Sequence, residues 1–299
     1  MILVVGSTGL LGREVCQQLS VAGRAARALV RPSTGPDRLE SLRAPNLEFV
    51  SGELQDPASL ESACVGVDTV ICTASSMPFA YRAAVNDIQS VDRDGVIRLV
   101  DIARAAGVRH FIYTSFSGNL EIACPLRDAK RDVERHLRSS GMHFTILRPS
   151  YFMEVWFSPL VGFDPSAHRA VIYGAGDRRI SWISLKDVAR FAVLAADHPA
   201  ARNTTLELGG PEPLTPLEVV SIFETTLRHR FAVSYVLDSA LHARHAAATD
   251  PMDKSIAALM IGVVHGDWIP MHDVLQQFPL KLTRVRTFAA GLVPQTVTA

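Results

Sequence analysis

Through its first half the chain alternates two kinds of hydrophobic pattern. Short apolar, β-branched runs at Ile2–Val5, Ala26–Val30, Leu47–Val50, Thr69–Cys72, His110–Tyr113 and Phe144–Leu147 read as strands. Between them, Arg13–Val21 and Val91–Ala106 carry apolar residues at a spacing near 3.6, and Ala58–Cys64 and Ala129–Ser139 give shorter helices. Strand and helix in strict alternation predict parallel strands joined by crossover helices, hence an α/β fold with a doubly wound parallel sheet of Rossmann type.

After Pro149 the regularity drops. A loop-rich stretch runs from Tyr151 to Trp182, followed by a helix over Leu185–Asp197 and a short strand at Thr205–Leu208. Gly209-Gly210-Pro211-Glu212-Pro213 breaks the chain, Pro216–His229 resumes as a helix, and Ser239–Val264 reads as one fairly apolar helical stretch. We expect a nucleotide-binding core over 1–150. A smaller C-terminal α/β portion over 151–299 should lend elements back to it.

The most informative local feature follows the first strand. Gly6-Ser7-Thr8-Gly9-Leu10-Leu11-Gly12 puts three glycines between a strand and a helix. A helix N-terminus there offers orphan backbone N–H groups and about half a positive charge, which suits a phosphate. Gly6 permits the tight turn, Gly9 the approach of a pyrophosphate, and Gly12 the packing of helix on strand. The second strand ends in Leu29-Val30-Arg31, with no acid before Asp37. An acid at that point would hold the ribose 2′-hydroxyl of NAD, whereas Arg31 suits the 2′-phosphate of NADP, with Arg24 and Arg27 nearby. NADP(H) is therefore expected over NAD(H).

The glycine spacing, G-x-x-G-x-x-G, resembles that of the extended and atypical short-chain dehydrogenase/reductases. More closely the chain is similar to their NmrA-like branch, which includes NAD(P)H:quinone-type reductases and NADP-sensing regulators. Gly52-Glu53-Leu54-Gln55-Asp56 with Ser59-Leu60, Gly66-Val67-Asp68-Thr69-Val70, Arg148-Pro149 and Ile183-Ser184-Leu185-Lys186-Asp187-Val188-Ala189 carry the resemblance over about two thirds of the chain. The resemblance implies that Glu53 and Leu54 flank the adenine and that Thr73, Ala74 and Ser75 line the cofactor. It also implies that Ser150, Tyr151 and Phe152 pass the nicotinamide, and that Lys130 holds the nicotinamide ribose. Ser115, at the carboxyl end of a parallel strand, falls in the same crevice. Lys130, Ser115 and Tyr151 are thus the catalytic candidates.

One position departs from the superfamily. Its usual dehydrogenases carry a Tyr four residues before the Lys, as the proton-transferring acid. Here the segment is Leu126-Arg127-Asp128-Ala129-Lys130, and an alkyl group transfers no proton. Two functions fit. One is NADPH-dependent reduction of a quinone-like or conjugated small molecule, whose proton comes from water. The other is a non-catalytic NADP(H)-binding redox sensor acting on a protein partner. Epimerase or dehydratase action on a nucleotide sugar normally needs the missing Tyr. Tyr151, Phe152, Trp156, Phe157 and Trp182 form either an apolar wall for such an acceptor or a packing core, and Tyr81 is a lesser candidate.

Composition narrows this further. Thirty basic and thirty acidic residues give a formal net charge of zero, which argues against nucleic acid as a partner. No apolar run approaches the roughly 20 residues of a membrane span. The first strand begins at residue 2, leaving no room for a signal peptide, so a cytoplasmic location is expected. Cys16, Cys64, Cys72 and Cys124 lie far apart and read as buried thiols rather than disulfides or ligands. His242 and His245 lack a third ligand, so no metal is expected. The oligomeric state, monomer or dimer, is open.

Overall fold

The structure, a computed structural model, describes residues 1–77 and 80–292. The last seven residues of the expected C-terminal portion, 293–299, lie outside the described residues. In chain order the first half gives β1 (Ile2–Val5), α1 (Leu10–Val21), β2 (Ala26–Val30), α2 (Pro36–Glu40), β3 (Leu47–Ser51), α3 (Pro57–Cys64) and β4 (Thr69–Cys72). A π-helical turn over Ile88–Gly95 runs into α4 (Val96–Ala105), followed by β5 (His110–Thr114), α5 (Pro125–Ser139) and β6 (His143–Pro149). The second half gives α6 (Met153–Trp156), β7 (Phe163–Asp164), β8 (Arg169–Tyr173), α7 (Leu185–Ala195), β9 (Thr204–Leu208), α8 (Pro216–Leu227) and β10 (Ala232–Val236). It closes with α9 (Asp238–Ala247), α10 (Pro251–His265), α11 (His272–Gln277) and α12 (Val285–Gly291).

The chain divides into two compact units, and the division is discontinuous. The first takes Met1–Phe116, Cys124–Arg148 and Val188–Leu206; the second takes Ser117–Ala123, Pro149–Asp187 and the chain from Glu207 on.

The main sheet has seven strands in the order β3-β2-β1-β4-β5-β6-β9. From β3 to β6 every neighbouring pair is parallel, with Ile2 of β1 opposite both Ala26 and Thr69. All residues of β1, β4 and β5 are buried, as strands covered on both faces require. Strand order reverses at β1, so a crevice opens at the carboxyl ends of β1 and β4, where ligands of such sheets bind.

The second unit is built on a smaller sheet. β10 and β8 run parallel, and β7 pairs antiparallel with β8. This corrects the expectation of a loop-rich stretch over 151–182: Arg-Ala-Val-Ile-Tyr at 169–173 is a strand, with Ala170, Ile172 and Tyr173 buried. The helical stretch expected over Ser239–Val264 is divided between α9 and α10, because the Asp250 side chain accepts from the backbone N–H of Met252 and Asp253 while Pro251 opens α10. Trp182 (3 % exposed) and Phe157 (4 %) lie inside an aromatic core with Phe163 and Phe223. Trp182, Phe157 and Tyr151 are thus part of a packed core, against which the half-buried Trp156 rests.

Candidate functional site

In the first unit the loop after β1 carries the geometry its glycines predicted. Gly6 sits at φ +83°, and a Cβ there would lie 2.7 Å from the backbone nitrogen of Ala74, so the loops after β1 and β4 touch at this point. A Cβ at Gly12 would overlap the carbonyl oxygen of Gly6, fixing how closely α1 approaches β1. Gly9 differs: nothing in the protein comes nearer to its hypothetical Cβ than 3.2 Å. It is the N-cap of the twelve-residue α1, with no side chain capping the helix and no acid in the first turn. The Gly9 N–H donates to the Gly6 carbonyl (3.0 Å), but the N–H groups of Leu10, Leu11 and Gly12 and the positive end of α1 are unanswered among the described residues. Arg13 in the same turn has a buried Nε with no acceptor. A phosphate fits this cradle.

Within the loop the side chains part company. The Ser7 hydroxyl is fully buried and donates to the Leu29 carbonyl (2.7 Å), stitching the loop to β2. Thr8 is half-buried, Leu10 is exposed and Leu11 packs inward. A ligand thus meets Ser7 and Leu11 through their backbone alone.

Arg31 follows β2 directly and is half-buried. Its two neighbours are committed elsewhere. Arg24 forms an ion pair with Asp197, and Arg27 pairs with Glu48 and donates to the carbonyls of Ala63 (2.7 Å) and Val65 (2.8 Å). Arg31 has no ion-pair partner among the described residues, which leaves its guanidinium for an anion. Beside it, the Glu53 side chain is exposed, whereas Leu54 is buried in the core against Gly95. The Gly52–Ser59 stretch is largely self-supporting: Asp56 caps α3, and the Ser59 hydroxyl accepts from the Glu53 N–H (3.1 Å). After β4, the Thr73 hydroxyl donates to the Val5 carbonyl (3.2 Å), Ala74 backs onto Gly6, and Ser75 Oγ accepts from the Met77 N–H (3.3 Å).

The carboxyl end of β5 gathers the second group of candidates. Lys130, on α5, is 5 % exposed, and its Nζ donates to the Thr114 carbonyl at 3.1 Å. An ammonium has three donors, so among the described residues two are unspent. The next residue, Ser115, accepts from Arg131 at 3.1 Å, and Arg131 also holds the Phe116 carbonyl at 3.0 Å. Arg131, Arg138 and Arg148 converge on Glu134, which is 2 % exposed. Burial pushes the Glu134 carboxyl up, but hydrogen bonds from Arg148 and Ser115 and the charges of Arg131 and Arg148 outweigh it and hold the group below its ordinary range.

The position of the missing acid is decided by packing. Leu126 is 1 % exposed, so position 126 faces the core of the unit. Tyr113 lies near Lys130, with the ammonium 5.2 Å from its ring centroid. It is no substitute acid: it is wholly buried, its hydroxyl has no hydrogen-bond partner among the described residues, and burial followed by the charges of Cys72 and Asp92 pushes its phenol well above the usual value. The sequence reading missed Asp92, Ser76, Glu134 and Tyr113. Asp92 alone left a signal, an acid on the inward stripe that continues through Val96, Leu99 and Val100.

The remaining candidates belong to the second unit. The Tyr151 hydroxyl donates to the Leu259 carbonyl (3.1 Å), and its ring packs edge-on against Trp156. Phe152 caps α6 and is half-buried. Ser150 is 5 % exposed and its N–H donates to Leu208. Asp267 is buried near it, accepting from Ser117 (2.7 Å) and Asn119 (2.8 Å); burial raises its pKa against those bonds. Asp187 of the Asp-Val-Ala stretch is a structural staple, accepting from the Thr283 N–H at 2.7 Å. Tyr81, in the first unit, is half-buried beyond β4. His245 bonds the Ala123 carbonyl and His242 lies 3.5 Å from Asp238. All four cysteines are buried and none is bridged to another.

A parallel sheet reversing order at β1, with an uncapped glycine-lined helix start and an unpaired arginine after β2, defines a dinucleotide-binding α/β protein. The chain belongs to the NmrA-like family, whose model matches residues 1–260. It is 30% identical over 283 residues to an isoflavone reductase homolog of Zea mays, covering 89% of this chain and 87% of the relative. An NAD(P)H azoreductase of Xenophilus azovorans is 28% identical over 265 residues, covering 87% and 85% respectively. Among solved structures, an NADPH-dependent quinone oxidoreductase of Escherichia coli complexed with NADPH superposes with a TM-score of 0.78 over 98% of this chain and 99% of that one. At 21% identity that likeness establishes the fold.

Proposed function

We propose that this chain, an NAD(P)H-dependent oxidoreductase of the NmrA-like family, uses NADPH in preference to NADH to reduce a quinone-like or otherwise conjugated small molecule. The observation that carries the reading is the pairing of a retained Lys130 ammonium, with two donors unspent, and an inward-facing Leu126. When bound, a reduced nicotinamide supplies the hydride. The protein's part is to hold and orient. The backbone of Gly6–Gly12 takes the pyrophosphate, Arg31 the 2′-phosphate, and Lys130 the nicotinamide ribose. Glu53, Thr73 and Ser75 border the same crevice. Ser115, fixed by Arg131, lines it without moving a proton. With no tuned acid at position 126, an alcohol–ketone reaction loses its proton donor. A conjugated acceptor spreads the incoming charge and takes its proton from water.

The relatives' names support a reductase and differ in substrate, so the substrate class rests on the missing acid. A cytoplasmic setting goes with the reading, since the cysteines are buried and unbridged; among the described residues no helix is long and apolar enough to cross a membrane. The test is a titration with NADPH, NADP⁺ and NADH, followed by a panel of quinones, enones and azo dyes. Tight NADPH binding with acceptor-dependent oxidation is expected. Binding without oxidation across the panel would refute catalysis and point to the sensor function, and no binding would refute both.

A further inference from the structure

Asp92 is the most anomalous residue of the first unit. It lies in the π-helical turn Ile88–Gly95 and is wholly buried, on a stripe otherwise made of Ile88, Val91 and Gly95. Widened turns of this type recur at functional sites, and this one is reinforced. Asp87 and Ser90 cap it reciprocally, and Gly95 is required because a Cβ there would lie 2.8 Å from the Ser90 carbonyl and 2.9 Å from the Leu54 side chain. The Asp92 carboxylate divides its two oxygens. Oδ2 accepts from the backbone N–H of Ser76 (3.0 Å) and from its hydroxyl (2.5 Å), tying down the segment after β4. Oδ1 has no hydrogen-bond partner among the described residues and lies 3.9 Å from Lys130 Nζ. A buried carboxylate costs several kcal/mol to desolvate, and a hydrophobic residue in its place is often neutral or stabilising. Fold stability therefore does not account for Asp92. The ammonium beside it does.

We propose that Asp92 is a positioning residue, fixing the Lys130 ammonium at the carboxyl end of β5 so that its two unspent donors are held for the ribose diol of the cofactor. This rests on the cofactor reading above. The ammonium sits between three fixed points: the Thr114 carbonyl, the Tyr113 ring and the Asp92 Oδ1. Two belong to the sheet and one to the π-helical turn. Ser76 holds Oδ2 with two bonds, so the carboxylate cannot swing away from Lys130.

The test is a double-mutant cycle with Asp92→Asn and Lys130→Met, read by NADPH affinity in a fluorescence titration. Asn keeps an acceptor for Ser76 and removes the charge. The single change is expected to weaken NADPH binding about tenfold, while in the Lys130→Met background it should change affinity less than about twofold, since coupled residues are non-additive. Because Asn leaves the buried Lys130 ammonium without its counter-charge, the melting temperature of Asp92→Asn should fall, and fall less in the Lys130→Met background. Additive losses, or an unchanged affinity in Asp92→Asn, would overturn the proposal. So would a lowered melting temperature with binding intact, which is the mark of a merely structural role. If Lys130→Met binds NADPH like the wild type, the assignment of Lys130 fails and the proposal with it; if the wild type binds none, the cofactor reading itself fails.

A second measurement needs no folded Asp92 variant. The chain has only four lysines, so side-chain signals of a lysine-labelled wild type are resolvable, and Lys130 is assigned by its loss in Lys130→Met. A Lys130 signal held in one rotamer and shifting on addition of NADPH is expected. A signal as averaged as those of Lys186, Lys254 and Lys281 would overturn the proposal.

Discussion

Replacing Arg31 by Ala separates the phosphate chemistry of the site from its fold. The guanidinium is half-buried and has no ion-pair partner among the described residues, while Arg24 and Arg27 are spent on Asp197 and Glu48. Truncation should therefore cost the apoprotein almost nothing and leave no neighbour to take over. A hydrogen bond to a charged group is worth about 1.5–3 kcal/mol, or about 12- to 150-fold in affinity. Solvent screens a partly exposed pair, so the expected loss for NADPH lies at the low end, about ten- to thirtyfold. NADH has no 2′-phosphate, and its affinity should stay within about twofold. The assay is a fluorescence titration of both cofactors, wild type and variant, at two salt concentrations. The wild-type preference for NADPH should weaken as salt rises, and the variant should show little of either. An equal loss for NADH and NADPH would refute the 2′-phosphate assignment, as would retained selectivity. An Arg27→Ala control should lower stability and leave selectivity alone.

Three further outcomes follow from contacts in the first unit. Gly12→Ala should abolish NADPH binding and lower the melting temperature, because its Cβ overlaps the Gly6 carbonyl and backbone must move; a variant binding NADPH normally would show that the loop is no cradle. Leu126→Tyr, which restores the superfamily's residue, should yield no alcohol dehydrogenase activity and lose about 1–3 kcal/mol by overpacking a site that is 1 % exposed; gain of such activity, with stability kept, would mean that position 126 faces the crevice. His110 Nε2 is hydrogen-bonded to the Thr145 hydroxyl, and burial, helped by the charge of Arg202, lowers its pKa to about 4. The unfolded chain takes up that proton near pH 6.5 and the native one only near 4, so stability is complete above 6.5 and falls between them, by at most about 3 kcal/mol; urea melts of His110→Gln should lack this slope, and an unchanged slope would exclude His110 as its source.

What could be read in the sequence follows from how the two units are built. β1 to β6 were readable to within two residues; for β1, β4 and β5 the reason is that strands buried on both faces are unbroken apolar runs. The glycine cradle was readable because the requirement is local: each glycine meets backbone a few residues away or across one neighbouring strand. β10 hid because most of its side chains are exposed or half-buried, which erases period-2 contrast. The break between α9 and α10 had a signal, Asp250-Pro251, but continuous apolar content masked it. Tyr113 and Ser76 act through partners 17 and 16 positions away, so no short window of sequence displays them. Tyr151 shows the opposite failure: its position matched a family pattern, while its hydroxyl is bound to α10 through a contact 108 residues distant.

The loss of the Tyr and the retention of the Lys have one physical explanation. In an acid–base pair the ammonium serves two ends, holding the ribose and tuning a neighbouring phenol. Here the second end is gone, because position 126 is packed and the nearby Tyr113 phenol is sealed from solvent. A lysine kept only by inheritance would drift toward water, where its charge costs least. Lys130 instead stays 5 % exposed, against a carbonyl, an aromatic face and a buried carboxylate. Holding an ammonium there is expensive unless something uses its remaining donors. Under the proposed function, the first end of that arrangement, grip on the ribose, is what the cost maintains. It is also the end that a reductase drawing its proton from water still needs.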